Sequence, residues 1–233
     1  MQIFERVKKE LRENKQSRLE GKVTAIPWLS LPKLGTVLPG VQQKRYNIVT
    51  ANSKVGKTKL ADFLYVYEPF NFIQSCECNI KLKIFYFSLE MSKEDKIKEV
   101  VSYKLFKETG KVISSERLGS VFKDYILEDE VEKTIDTYDS FFQKFESTVT
   151  YIDDIRNPYG IYKYVRNYFE NPEIGHYIYE TINDGKTKIQ TGYVNITDIH
   201  HFVITDHVSL LLAENGMTEH QNIGHYSKEY CLK

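Results

Sequence analysis

The residues Ala51-Asn52-Ser53-Lys54-Val55-Gly56-Lys57-Thr58-Lys59 have the types and spacing to hold the phosphates of a nucleotide. Successive backbone N–H groups of such a loop, backed by the positive end of a helix, wrap an oxyanion, and glycine at Gly56 lets the backbone come close. Lys57 supplies a positive charge to the β- and γ-phosphates, and the Thr58 hydroxyl is a ligand for Mg²⁺. Ala51 stands where glycine is usual in this pattern, so the turn there must tolerate a Cβ. Two carboxylates join the loop. Glu90 follows the apolar run 83–88 and Asp206 follows the run 202–205. In open α/β sheets ligands bind outside the carboxyl ends of the strands, so both carboxylates can face a nucleotide. An apolar strand that delivers an aspartate downstream of a phosphate-binding loop is an arrangement in which the carboxylate orders Mg²⁺ through its waters.

These groups need elements to position them. Residues 46–50 are apolar and β-branched and predict a buried strand leading into the loop, while Leu60, Phe63, Leu64 and Tyr67 fall at helical spacing behind it. Pro69 predicts a break. Residues 83–88 predict a second strand, and Ser92 with Asp95 predicts a helix cap ahead of Ile97, Val100, Val101 and Leu105. Residues 110–145 read as polar and helical, without a motif. A third strand over 148–152 ends in Asp153-Asp154, a pair that either caps the next element or binds a metal. Residues 159–169 place Tyr162, Val165 and Phe169 on one helical face, and 176–194 alternate around Asn183-Asp184-Gly185, a hairpin-turn signal. His200, His201 and His207 flank the 202–205 strand; alternate strand residues face opposite sides, so they are not expected to converge on a metal. At the front, Ile3, Phe4, Val7 and Leu11 form the apolar face of a helix over 1–19, docked either on its own domain or, as a linker, on a neighbouring subunit. Residues 25–40, with three prolines, predict an extended approach to the first strand.

At 233 residues the chain has room for one sizeable α/β domain with an appendage. Its 32 basic and 32 acidic side chains cancel, so overall charge neither supports nor excludes a nucleic-acid partner. No apolar run approaches membrane-spanning length, and the first residues are too charged for a signal peptide, which makes a cytoplasmic location the expectation. The three cysteines are an odd number without a secretion signal and are expected as thiols. Cys76-x-Cys78 has no matching pair at zinc spacing.

Taken in order, the loop 51–58, the string Phe87-Ser88-Leu89-Glu90-Met91-Ser92 and the string Val203-Ile204-Thr205-Asp206-His207-Val208-Ser209-Leu210 resemble the RecA-like ATPase domain of DnaB-type replicative helicases, most closely those of bacteriophages. The resemblance implies an α/β P-loop NTPase fold with a mostly parallel sheet flanked by helices. Residues 1–24 would be a linker-like helix and 25–233 the ATPase domain, interrupted by a hairpin at about 174–197. It further implies ATP and Mg²⁺ as cofactors, Glu90 activating water, Asp206 ordering Mg²⁺, and a hexameric ring moving on single-stranded DNA with other replisome proteins as possible contacts. If phage-encoded, the protein would act in a bacterial cytoplasm. Family members continue past the helix after this aspartate into strands carrying a polar sensor and an arginine finger. This chain stops in what reads as that helix, so an incomplete domain with weak activity alone is expected. Arg156 and Arg166 lie upstream and do not match the finger. The rival readings are a RecA-like recombinase or another ATP-driven DNA protein, and a nucleotide-binding partner without turnover.

Overall fold

The computed structural model describes residues 3–21, 25–43, 45–52, 54–75, 80–182, 185–214 and 216–231. The chain forms two compact units, Met1–Leu82 with Asp198–Phe202, and Lys83–Thr197 with Val203–Lys233. Ser53 of the loop, the Cys76-x-Cys78 pair, Asn183 and Asp184 of the hairpin turn, and Asn215 lie outside the described residues.

The first unit opens with α1 (Ile3–Leu19), which buries none of its side chains. Short strands β1 (Ala25–Ile26) and β2 (Val41–Gln42) pair antiparallel around the one-turn helix α2 (Pro32–Gly35). Gly40 cannot be replaced there: its φ is +105°, and a Cβ would lie 2.0 Å from the Ile26 carbonyl oxygen. A helical stretch then runs as α3 (Lys57–Asp62), a π-helical turn (Phe63–Tyr67) and α4 (Glu68–Ser75).

Pro69 does not break this stretch; it lies inside α4. The π turn explains how. Glu68 N–H bonds back to the Phe63 carbonyl, five residues earlier, so the next carbonyl, Leu64, would look to residue 69 for a donor. Proline has no N–H to give. The Trp28 indole N–H takes that place, donating to Leu64 O at 2.8 Å from a ring that is 5 % exposed. The buried Glu68 carboxylate is met in turn by the Ser30 backbone N–H and hydroxyl, at 2.9 and 2.7 Å. Trp28→Phe keeps most of the ring but strands a buried carbonyl. Urea unfolding should therefore show a loss of about 1–3 kcal/mol, and no loss would remove the indole from this role.

Residues 46–50 do not form the expected strand. Residues 45–50 have no regular structure, and Tyr46 and Ile48 are 41 % and 67 % exposed. A strand persists when a neighbour supplies ladder hydrogen bonds and one face is covered. None of the three sheets among the described residues includes this segment. The strand-loop-helix context is thus realised only in its loop and its helix.

The second unit is mixed α/β. Its elements are β3 (Lys81–Ser88, from Lys83 on), α5 (Lys93–Thr109), α6 (Ser115–Leu118), α7 (Asp129–Asp136), α8 (Asp139–Thr148), β4 (Val149–Ile152), α9 (Pro158–Phe169), β5 (Gly175–Ile182), β6 (Thr187–Asn195), the end of β7 (Ile199–Asp206, from Val203 on) and α10 (Glu219–His225). A 3-10 turn (Val208–Leu210) follows β7 and a π turn (Tyr226–Cys231) follows α10. The sheet order is β4-β3-β7, with β3 and β4 parallel in the register Tyr86↔Tyr151. The middle strand is covered on both faces, which is why its sequence is nearly all apolar. Phe85 and Phe87 face α9, their rings 4.8 Å from Tyr168 and 5.8 Å from Tyr164 respectively. Tyr86 faces the other way, 5.2 Å from Tyr151.

The expected hairpin is present: β5 and β6 pair from Gly175↔Asn195 to Ile182↔Thr187, with a bulge at Ile178/Tyr179. Gly185 leaves the turn at φ +84°. No helix among the described residues is long and apolar enough to cross a membrane.

Candidate functional site

The loop opens into α3 through Gly56, which takes φ +89° immediately before the first helical residue, Lys57. Lys54 is also left-handed, at φ +63°. Left-handed positions set among right-handed ones curl a chain so that successive N–H groups point into one concavity, and at a helix start those groups lack intrahelical acceptors. Ala51, Asn52, Lys54, Val55, Gly56 and Lys59 are exposed, and Lys57 and Thr58 are half-buried. The Cβ of Ala51 is tolerated at an exposed position of an irregular stretch. Leu60 N–H closes the first turn on Gly56 O at 2.9 Å.

Glu90 and Asp206 both belong to the second unit, and the structure brings them together. Leu89 N–H donates to Asp206 O at 2.8 Å, joining the carboxyl ends of β3 and β7 at the residue before Glu90 and at Asp206 itself. The turn after β3 is pinned by the Ser88 hydroxyl on Met91 O at 2.7 Å. Ser92 then caps α5, accepting from Asp95 N–H at 3.1 Å. Asp153 Oδ2 accepts from Lys93 N–H at 3.0 Å, so this carboxylate serves the first turn of α5, an earlier helix, rather than the next element. Glu90 projects outward, its side chain 56 % exposed, with Oε2 3.8 Å from His207 Nε2. His207 Nδ1 is hydrogen-bonded to the Ser209 hydroxyl.

Asp206 is 7 % exposed and sits in a polar cluster inside the sheet–α5 layer. Tyr86 O–H donates to its Oδ2 at 3.2 Å. The Lys96 ammonium, 1 % exposed, donates to Tyr86 Oη at 3.1 Å and lies 3.9 Å from Asp206 Oδ2 and 3.7 Å from Glu99 Oε2. Sequence reasoning missed Tyr86, Lys96 and Glu99, and it read His207 only as a histidine flanking the strand. A signal did exist: Lys96 lies one helical turn before Val100 and Glu99 beside it, so charges occupy the stripe that Val100 and Leu105 mark as buried.

A carboxylate and a threonine hydroxyl are the hard oxygen donors that Mg²⁺ accepts. Among the described residues no group of three or more His, Cys, Asp or Glu side chains forms a metal cage. The loop 51–59 belongs to the first unit. No family model, curated protein or solved structure matches this chain.

The histidines on β7 carry a different signature. Burial pushes His201 down to about 4, helped by the neighbouring His200 charge. Burial also lowers His200, against the pull of Asp198. An unfolded histidine titrates near 6.5, so between about pH 6.5 and 4 the unfolded chain binds more protons than the folded one. Stability must therefore fall as pH drops through that window. The denaturation midpoint should decrease from pH 7 to pH 5, and His201→Gln should flatten the slope. An equal slope in that variant would assign the effect elsewhere. Among the described cysteines, Cys231 is a free thiol that burial pushes up.

Proposed function

We propose that this chain is the nucleotide-binding and hydrolysing core of a DnaB-type, RecA-like P-loop ATPase, using Mg²⁺-ATP and working on single-stranded DNA as part of a hexameric ring. The observation that carries the reading is the hydrogen bond from Leu89 N–H to Asp206 O. It sets an exposed carboxylate, Glu90, and an enclosed one, Asp206, at adjacent strand ends, where ligands of α/β sheets bind. The loop entering its helix at a left-handed Gly56 adds the phosphate cradle. The DNA and ring elements rest on the motif resemblance alone.

The chemistry divides among few groups. Lys57 and the loop N–H groups neutralise charge on the β- and γ-phosphates, and the motif resemblance alone gives Thr58 and Asp206 their metal roles. When bound, Mg²⁺ offsets the charge that develops as the terminal phosphoryl group leaves ADP. Glu90 accepts a proton from the water that attacks phosphorus.

Calorimetry with Mg²⁺-ATP and Mg²⁺-ADP tests the reading. The parent should bind both, and Lys57→Ala should weaken binding about 10–150-fold, the equivalent of 1.5–3 kcal/mol for a charge-assisted contact. Equal affinity in the two proteins would sink the phosphate-loop assignment. One observation favours a second reading, a nucleotide-binding partner without turnover: residues 46–50 lead into the loop as exposed, irregular chain rather than as a strand. Tight binding with no hydrolysis, with or without single-stranded DNA, would select it.

A further inference from the structure

We infer that Lys96 and Tyr86 are positioning residues for Asp206, acting as a one-way hydrogen-bond relay that sets how tightly the site takes Mg²⁺. The inference rests on the reading of Asp206 as the metal-ordering carboxylate.

The direction of the relay follows from donor chemistry. An ammonium has only donors, so Tyr86 Oη accepts from Lys96 at 3.1 Å. The phenol's own hydrogen is then left for Asp206 Oδ2, 3.2 Å away. Lys96 also lies 4.6 Å from the centroid of the Tyr86 ring, so one residue holds the phenol by its face and by its oxygen. Each bond polarises the next, and the phenolic hydrogen facing Asp206 becomes a better donor.

A buried lysine is a poor stabiliser. Removing an ammonium from water is costly, and a well-packed apolar side chain of similar volume commonly serves stability as well or better. What the ion adds is charge and direction. With Glu99 Oε2 at 3.7 Å and Asp206 Oδ2 at 3.9 Å, one cation stands between two carboxylates. Asp206 is therefore held in one orientation by its inner oxygen, Oδ2. A carboxylate that must accept hydrogens from a metal's waters needs that fixed orientation.

The test is the Mg²⁺ concentration that half-saturates ADP binding by the full chain, read by calorimetry, alongside ADP affinity in EDTA. Tyr86→Phe keeps the ring and removes only the relay oxygen; Lys96→Met removes the source. Each should raise the Mg²⁺ requirement about 10–100-fold and leave the affinity in EDTA unchanged, a pattern that a general loss of structure would not give. Lys96→Met leaves two carboxylates facing each other and can fail to fold, so Tyr86→Phe carries the decision. Asp206→Asn is run in parallel. If it raises the requirement while folded Tyr86→Phe matches the parent, the relay is overturned and the metal role of Asp206 stands. If Asp206→Asn leaves the requirement unmoved, the metal role falls and takes the relay with it. A parent chain that binds no ADP overturns both.

Discussion

Glu90→Gln is expected to bind Mg²⁺-ATP as the parent does and to hydrolyse it about 10²–10⁴-fold more slowly. The substitution keeps size and hydrogen-bonding capacity while removing the group that accepts a proton from water. The side chain is 56 % exposed, so the change should cost the fold little, within about 0.5 kcal/mol. The turn that carries Glu90 is held by backbone and Ser88 contacts, none of which uses the Glu90 carboxylate. Binding and turnover should therefore separate cleanly. Single-turnover hydrolysis under saturating Mg²⁺-ATP is the measurement, with single-stranded DNA present and absent. Parental turnover in Glu90→Gln would remove the carboxylate from the chemistry and leave its place beside Asp206 as an accident of the strand ends.

Much of the second unit was legible because its signals are local. The run 83–88 has apolar residues on both faces and became the covered middle strand β3; Ser92 with Asp95 became a cap; alternation on either side of Asn183-Asp184-Gly185 became the β5–β6 hairpin. Asp206 was expected at the end of an apolar strand, and it is the last residue of β7. What failed was non-local. Residues 46–50 have strand composition, but a strand depends on what pairs with it, and composition does not carry that. Pro69 reads as a stop in any window around it, and only the distant Trp28, supplying the donor that proline lacks, makes the helical stretch continuous. Lys96 escaped for a related reason. A lysine on a helix is ordinarily a solvated one, and its burial became visible only once Tyr86 and Asp206, on two different strands, closed around it.

Phe87→Ala is expected to destabilise the second unit by about 3–5 kcal/mol, because a fully enclosed aromatic leaves a cavity as well as losing its transfer energy. Phe87 has no exposed surface and packs in one cluster with Phe85, Leu89, Ile152, Ile161, Leu211 and Tyr226. Domains are commonly stable by only about 5–15 kcal/mol, so the loss is a large share of the total. The comparison is Val121→Ala, at a side chain 74 % exposed, which should move the midpoint by no more than about 0.5 kcal/mol. Urea unfolding followed by circular dichroism separates the two, and similar midpoints would mean that Phe87 is not in the core. The consequence reaches the site through the chain itself. Phe87 precedes Glu90 by three residues on the strand whose end is tied to Asp206, so opening this core releases both carboxylates together. Hydrolysis by Phe87→Ala should then follow the folded fraction, returning toward the parental rate as the protein is stabilised by saturating nucleotide. In Glu90→Gln the same nucleotide concentration should restore nothing, which distinguishes a residue that holds the site from one that acts in it.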